Sequence, residues 1–567
     1  MSGRHPDIAA YVDDRLTPEA RQEAEKHLVR CLQCCRTVED LRLTRNQELR
    51  ALGNFPGRLL RGSLEFLHPV LKSLPQNGTQ PEAKEQDEPL RLLSPRVMGG
   101  VRGASRFVGR FGLVLLLTAA ALLLPTPEGL SEVGHRSLGA FVFTAAILAL
   151  EPVSLPIAAL MVPLALVALG TADTPQAFAT FSRPVVFLIL ASLFLAEALR
   201  KHGLTRRLAL SAIVTSGGGI GPLLLSLMAT SAFFSMWVGN TATAAMLIPV
   251  ALTISKQISE KEEARRLVAL LALGVVYSAS LGGMVTIMGA SANAVASGFL
   301  ADIGDWTFLD WMRYGLPSFV LLFPLTWYLL FKLMPLGTKR LDVAPAREQA
   351  ANMGPMSPTE WEIIAIIAVA AVLWVGGPIL ETALGLPKTL FSSAMVAVIA
   401  VAYLAIREII DWEDLKGVSW GIFLIIGAGL SLGETLFRTG VTDWFAALIA
   451  PLVTGLPLLA SLLMLVLLSA VLTNLVNNTT IAAVFVPVLI TLSQAEAGFS
   501  AVQLVLPVTL ATTFGYSLPS ASGRMAMLSA TGLVDRGTMM RYGLILTVVS
   551  SLVLGGFFYA LAQLGWI

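Results

Sequence analysis

Residues 235–250 read SMWVGNTATAAMLIPV, and residues 473–488 read TNLVNNTTIAAVFVPV, 238 positions further along the chain. Both stretches begin with a hydroxyl residue, carry Asn-Thr five positions later, and continue through Ala-Ala to Pro-Val. Each copy lies within an apolar run, where a polar residue is costly unless it has a function. The same polar pattern in two apolar runs therefore indicates an internal duplication.

Two further blocks match in the same order around these stretches. Upstream, the segments that start at Phe187 and Phe423 correspond at an offset of 236 positions. Downstream, GGMVTIMGASAN at 282–293 has a weaker counterpart in GYSLPSASGR at 515–524. If an odd number of membrane spans separates the copies, they lie in opposite orientations. The pattern predicts inverted repeats.

The composition is that of a membrane protein. The 567 residues are 55% hydrophobic and only 14% charged, with a mean hydropathy of +0.71, whereas soluble chains contain about 25% charged residues. Residues 1–110 hold 18 of the 40 Lys and Arg. These values exclude an ordinary cytosolic enzyme, a disordered protein and a secreted disulfide scaffold. The net charge of +2 gives no case for direct nucleic-acid binding.

Apolar runs of the length that crosses a bilayer recur from Phe111 onward. The predicted spans lie near 111–126, 137–152, 154–171, 184–200, 267–300, 314–335, 359–379, 391–406, 418–437, 500–533 and 541–563. The runs 222–255 and 451–492 carry polar residues in the middle. If each of these two runs is a re-entrant hairpin that enters and leaves on the same side, the chain has eleven spans. If each run instead crosses the membrane twice, all other loops keep the same side of the membrane. We predict an all-α polytopic membrane protein of about eleven spans with two re-entrant hairpins, in repeats at about 137–335 and 359–567.

The basic residues predict the orientation of the chain. In the eleven-span topology, 16 Lys and Arg after residue 110 lie on the cytoplasmic side and five on the outer side, as the positive-inside rule requires. Four arginines between Arg96 and Arg110 precede the first span. We expect a multi-pass protein of the inner (cytoplasmic) membrane, with a cytoplasmic N-terminus and a periplasmic or extracellular C-terminus.

Inverted repeats with interrupted hydrophobic segments at matching positions are typical of secondary transporters. Backbone that leaves the helix at membrane depth is tolerated where it lines a cavity, and its free carbonyls can bind a cation. One Asn-Thr pair alone would equally suit a hydrogen bond between helices. Two copies, each paired with a Gly/Ser-rich break, favour a transport site.

These residues resemble the divalent anion/sodium symporter family of di- and tricarboxylate and sulfate transporters, which carries a Ser-Asn-Thr triplet at the tip of each of two hairpins. The resemblance covers roughly residues 110–567. It implies sodium coupling, a homodimer, and a hairpin-bearing transport domain that slides like an elevator against a scaffold. The implied sodium ligands are Ser235, Asn240 and Gly289 in one repeat and Thr473, Asn478 and Ser520 in the other. The implied substrate-binding residues are Asn240, Thr241, Ser291, Asn293, Asn478, Thr479, Ser522 and Arg524.

The chain departs from the family pattern at several positions. Both triplets lack their first Ser, and Arg524 stands where the first repeat has Asn293. Three interpretations of Arg524 are open. Its guanidinium binds a substrate anion through two hydrogen bonds, or it is a fixed charge that replaces the second sodium. In the third, it forms a salt bridge, with Glu434 as one conceivable partner, or its side chain extends to a membrane interface. Glu197 and Glu434 match in the repeat, either as proton-coupling carboxylates or as span ends near the headgroups.

The N-terminus carries a separate metal-binding pattern. His5, His27, Cys31 and Cys34 supply the four N/S ligands of a structural zinc site. Residues 1–36 resemble the anti-sigma-factor zinc finger, which implies a regulatory partner such as a sigma factor; residues 37–110 follow as a linker and basic juxtamembrane segment. The alternative is an amphipathic helix with reactive thiols.

The best hypothesis is a sodium-coupled symporter of a small divalent anion, with a cytoplasmic zinc-binding regulatory domain. One alternative is a membrane-bound anion sensor that signals through the zinc finger. A cation/proton antiporter is the other, and it is weakened because no Asp lies in a predicted hairpin or break. We do not expect an enzyme, because the glycines at 217–221 lack the Lys-Ser/Thr of a phosphate loop.

Overall fold

The computed structural model describes residues 95–567 except 256, 257, 259, 339, 388, 496 and 497. The proposed zinc module at 1–36 and the linker up to residue 94 lie outside the described residues. Within the described part of the chain, every regular element is a helix, and one isolated bridge joins Gly219 to Arg340. The expectation of an all-α protein is confirmed for this part.

The first repeat and the segment before it contain twelve helices, α1–α12. Their bounds are Pro95–Leu123, Glu132–Leu150, Leu155–Ala168, Thr174–Ala179, Pro184–Lys201, Leu204–Thr215, Ile220–Val238, Asn240–Ser255, Lys261–Gly283, Ser291–Ile303, Phe308–Leu333 and Ala344–Asn352. The second repeat contains ten helices, α13–α22. Their bounds are Pro358–Leu384, Ser393–Ile406, Trp412–Lys416, Gly421–Arg438, Val441–Thr454, Leu458–Leu475, Asn478–Ala495, Ala501–Ala511, Gly523–Ala530 and Arg536–Gln563.

Nine of the described helices are long and apolar enough to cross a membrane, or up to ten if the bent pair Thr174–Ser182 and Pro184–Lys201 forms one span. The predicted spans at 154–171 and 391–406 are helices of 14 residues, which rise only about 21 Å. The first helix begins at Pro95, well before the predicted start at Phe111. A count of eleven spans therefore depends on how the shorter helices are assigned.

The duplication is visible in the order of the helices. In each repeat a glycine with positive φ, Gly203 (φ +72°) or Gly440 (φ +74°), follows the end of an apolar helix by two residues and precedes a short helix. The two short helices, α6 and α17, were not predicted; they have 12 and 14 residues, whereas the prediction rests on runs long enough to cross a bilayer. The positive φ at both glycines explains why the chain can turn there.

All four interrupted segments are pairs of helices. The run 222–255 forms α7 and α8, with a break at Gly239 (φ +83°), and the run 451–492 contains α18 and α19. The predicted spans at 267–300 and 500–533 are each broken as well, because irregular backbone separates α9 from α10 and α20 from α21. Both halves of each hairpin pack against the helix before the break, α9 or α20.

The helix α9 lies at the centre of the first repeat, and its apolar part is almost entirely buried. It approaches α7 without room for a side chain: a Cβ atom on Gly282 would lie 2.1 Å from the carbonyl oxygen of Ala232. Small residues that allow such backbone contact are typical of membrane helix interfaces. This contact sets the hairpin against the break that follows α9.

We predict that Gly282→Ala destabilises the protein by about 1–3 kcal/mol, because a methyl group would overlap the backbone of α7. Gly376→Ala is the matched control, since Gly376 also lies within a helix and has nothing within 4 Å of its Cβ position; its effect should stay within about 1 kcal/mol. Thermal unfolding in detergent measures both. Equal melting temperatures for the two variants would contradict the close contact.

Candidate functional site

The tip of the first hairpin forms a cluster of oxygen atoms with the break after α9. One terminal atom of the Asn240 side-chain amide lies 2.6 Å from Ser235 Oγ, 2.9 Å from the carbonyl oxygen of Ala279 and 3.0 Å from that of Gly289. Ser235 is fully buried, and Asn240 is 8% exposed. Gly239 allows the reversal between α7 and α8 that places Ser235 and Asn240 together.

The amide of Asn240 has two orientations with different consequences. With nitrogen at this position, the amide donates hydrogen bonds to both carbonyls, and the cluster is satisfied by protein atoms alone. With oxygen there, four oxygens face one another without a donor for the carbonyls. Only a cation would then hold them together, and oxygen atoms are the ligands that hard cations prefer. The cluster has the chemistry of a small cation site.

The break that follows α9 is fixed by side-chain hydrogen bonds. Asn293 Nδ2 donates to the carbonyl oxygens of Gly283 and Thr286, each at 2.8 Å. Thr286 Oγ1 donates to the carbonyl of Met236 at 2.5 Å, which joins the break to the hairpin tip. Glycine is needed at Gly283, since a Cβ atom there would lie 2.0 Å from Asn240 Oδ1.

The second repeat places similar residues together with a different backbone partner. Thr473 Oγ1 lies 2.6 Å from Asn478 Oδ1 and 2.8 Å from the carbonyl oxygen of Thr512. Thr512 precedes Gly515 by three residues, as Ala279 precedes Gly282. We expected the backbone of Ser520 at this place; Ser520 is instead exposed, and the carbonyl beside Thr473 is that of Thr512.

The two repeats meet at the N-terminal ends of four helices, α8, α10, α19 and α21. Ser291 Oγ and Thr479 Oγ1 are 2.5 Å apart. A Cβ atom on Gly523 would lie 3.0 Å from Thr241 Oγ1. Because Asn240 also contacts Gly289, two residues before α10, the four N-termini form one connected junction. The hydroxyl of Ser522 belongs to the same region and has no hydrogen-bond partner in the described structure.

Arg524 is 2% exposed. Its Nη2 donates to the carbonyl of Thr513 at 2.9 Å, its Nε has no partner, and no carboxylate pairs with it among the described residues. Glu434 instead accepts a hydrogen bond from Arg183 at 2.8 Å. The hypotheses of a salt bridge to Glu434 and of snorkelling to an interface are therefore wrong.

The repeat-matched glutamates are both paired with arginine. Glu197 accepts from Arg200 at 2.5 Å, and Glu434 shares Arg183 with Asp302, which lies 2.7 Å from that arginine. Their partners come from the ends of helices, which fits a position near the headgroups. No group of three His, Cys, Asp or Glu suited to a metal occurs in the part of the chain that the structure describes. The proposed ligands His5, His27, Cys31 and Cys34 lie outside it.

Sequence reasoning missed two carbonyls and two side chains at the site. The carbonyls of Ala279 and Thr512 were missed because any residue type can supply them. Thr286 and Asn474 were also missed; Asn474 Oδ1 accepts from the backbone N–H of Ser517 at 2.9 Å and so fixes the second break. A signal for Asn474 was present, since it is an amide within the apolar run that precedes the hairpin tip.

A helical membrane protein with duplicated, broken helices that meet in a polar junction is a secondary transporter by architecture. Residues 105–564 match the family described as the sodium:sulfate symporter transmembrane region, and the chain belongs to this family. An uncharacterised transporter of Haemophilus influenzae is 30% identical over 74% of this chain and 90% of its own length. A sodium-dependent dicarboxylate transporter of Staphylococcus saprophyticus is 28% identical over 78% of this chain and 89% of its own. The crystal structure of the Alcanivorax borkumensis YdaH transporter matches with a TM-score of 0.48 at 16% identity, covering 82% of this chain and 99% of that one.

We predict that Asn293→Ala lowers stability by about 1–3 kcal/mol, because the buried carbonyls of Gly283 and Thr286 lose their donor. Ser297→Ala on the same helix is the control, since the buried Ser297 hydroxyl has no hydrogen-bond partner in the described structure; its removal should change stability little. Melting temperatures in detergent separate the two. A control as unstable as Asn293→Ala would contradict this role of Asn293.

Proposed function

We propose that the protein is a sodium-coupled symporter that carries a small divalent anion into the cell. The observation that carries this proposal is the junction of four helix N-termini, with Ser291 Oγ 2.5 Å from Thr479 Oγ1 at its centre. Helix N-termini present free backbone N–H groups and a partial positive charge. Such termini bind anions without further basic residues.

The substrate would contact hydroxyl groups at this junction. Thr241, Ser291, Thr479 and Ser522 are the proposed donors, with Asn478 beside them. Asn293 has a different role, because its amide nitrogen already donates to two carbonyls. It positions the start of α10 and does not contact the anion itself.

Sodium would bind the oxygen cluster of Ser235, Asn240, Gly289 and Ala279. Asn240 directly precedes Thr241, so a cation that turns the Asn240 amide also sets the geometry of the anion site. Thr473 and Asn478 are the second-repeat counterparts, with the carbonyl of Thr512. The cation lowers the electrostatic free energy of the bound dianion, which gives a physical reason for coupling.

The similarity to a relative named as a sodium-dependent dicarboxylate transporter supports a dicarboxylate as the first substrate to test, and the family description supports sulfate as the second. We further propose eleven spans with two re-entrant hairpins, a homodimer, and an elevator-type motion of the hairpin-bearing domain in the inner membrane. The N-terminus would be cytoplasmic and the C-terminus outside. The repeated order of broken helices in the two halves supports this topology.

Uptake of labelled succinate into proteoliposomes tests the proposed function. With an inward sodium gradient we expect concentrative uptake of succinate. Unlabelled malate, citrate or sulfate should reduce this uptake if it is also a substrate. An equal potassium gradient serves as the control. Absence of uptake would contradict symport. If succinate or sulfate then still raised the melting temperature, the anion-sensor alternative would be favoured.

Thr241→Val and Thr479→Val should each raise the KM for succinate about tenfold, because each removes a hydrogen bond to a charged group worth about 1.5–3 kcal/mol. Thr491→Val is the control: it lies on the same helix as Thr479, about 18 Å further along, and its buried hydroxyl has no described partner. Initial uptake rates at saturating sodium measure the KM. An unchanged KM in both site variants would place the substrate elsewhere.

We also propose that residues 1–36 bind one structural zinc ion through His5, His27, Cys31 and Cys34, and that this module binds a regulatory protein such as a sigma factor. Thiolate and imidazole ligands at this spacing favour zinc. Elemental analysis of the purified full-length protein should find about one zinc per chain. Cys31→Ser should lose the metal, and Cys35→Ser should keep it; equal zinc content in these two variants would contradict the ligand set.

A further inference from the structure

The two repeats carry residues of different charge at one corresponding position after the break. In the first repeat this residue is Asn293, and in the second it is Arg524, each two positions after a serine that begins or precedes a helix. Asn293 is neutral and donates to the carbonyls of Gly283 and Thr286. Arg524 brings a positive charge to the corresponding place.

The charge of Arg524 lies next to the second-repeat oxygen set. Its guanidinium donates to the carbonyl of Thr513, and the neighbouring carbonyl of Thr512 accepts from Thr473. With 2% exposure and no carboxylate partner among the described residues, the guanidinium is an unneutralised buried cation. Such a group is unfavourable unless a nearby anion, here the substrate, compensates it.

The second-repeat oxygen set is itself less suited to a metal ion. Thr473 Oγ1 lies 2.6 Å from Asn478 Oδ1 and 2.8 Å from the carbonyl oxygen of Thr512, and its single proton can be donated to one of these oxygens at a time. The position that corresponds to Gly289 is Ser520, which is exposed, whereas Gly289 is buried and contacts Asn240. The described contacts therefore bring four oxygens together in the first set and three in the second.

We propose that the guanidinium of Arg524 is a built-in cation that replaces the second coupling sodium. Under the proposed symport, on which this inference rests, the chain binds one sodium ion, in the first repeat, and Arg524 supplies the second positive charge. A direct fork to the substrate is less favoured, because the guanidinium is enclosed and already bonded to the break. The accessible end of the junction is formed by Gly523, which is exposed, and by Thr241 beside it, which is half-buried.

Binding of ²²Na⁺ to the purified full-length protein in detergent tests the inference without transport. The wild type should saturate at one sodium per chain, and Arg524→Asn, which restores the first-repeat residue, should saturate at two. Arg524→Lys is the matched control, because it keeps the charge and should stay at one. Asn240→Ala should lose sodium binding at least tenfold, and Thr473→Val should keep it.

Two sodium ions per wild-type chain, or one in both the wild type and a folded Arg524→Asn variant, would overturn the proposal. If Arg524→Asn does not fold, the wild-type count and the contrast between Asn240→Ala and Thr473→Val still decide. Failure of the proposed function has a different signature, since it would abolish succinate uptake and leave the sodium count readable. In active proteoliposomes the Hill coefficient for sodium should be near one in the wild type and should rise in Arg524→Asn.

Discussion

The contact of the Asn240 amide with the carbonyls of Ala279 and Gly289 joins the parts on which the site depends. It connects the tip of a hairpin to a break in another helix, inside the protein, where buried carbonyls need a partner. The glycines around it follow from this contact: Gly239 reverses the chain, Gly282 admits α7, and Gly283 leaves room for the amide itself. A larger residue at any of these places would move a backbone carbonyl away from the cluster.

Under the proposed symport, the same contact would relate cation binding to anion binding. Asn240 begins α8 and Thr241 follows it, so the oxygen cluster and the junction share the first turn of one helix. Asn293 and Thr286 restrict the other side of the cluster by holding the break in one conformation.

The sequence predicted those features that depend on local spacing. The distance of five residues between Ser235 and Asn240, and between Thr473 and Asn478, suffices to form a turn, and both pairs are in contact. The interrupted helices were also predictable, since glycine and polar residues within apolar runs mark them. Backbone partners were not, because the carbonyls of Ala279 and Thr512 leave no trace in residue type. The partner of Glu434 was not predictable either, because Arg183 is 251 residues away and such pairs depend on how the repeats pack.

The duplication allows Asn293 in the first repeat to be compared directly with Arg524 in the second. Two copies of one ancestral unit would bind two equivalent cations, and the net charge moved with a dianion would then be zero. Under the proposed elevator-type motion, with Arg524 in the place of the second sodium, one sodium and one guanidinium would give the same balance, and the loaded transport domain would cross the bilayer as a neutral unit. The unloaded domain, however, keeps the positive charge of Arg524. A negative interior potential opposes its outward return, whereas a domain that returns with an anion and a sodium ion carries no net charge. Under the proposed mechanism, a fixed cation would therefore favour exchange of anions over net uptake, and Arg in place of Asn at one repeat position would change the balance between these two modes of transport.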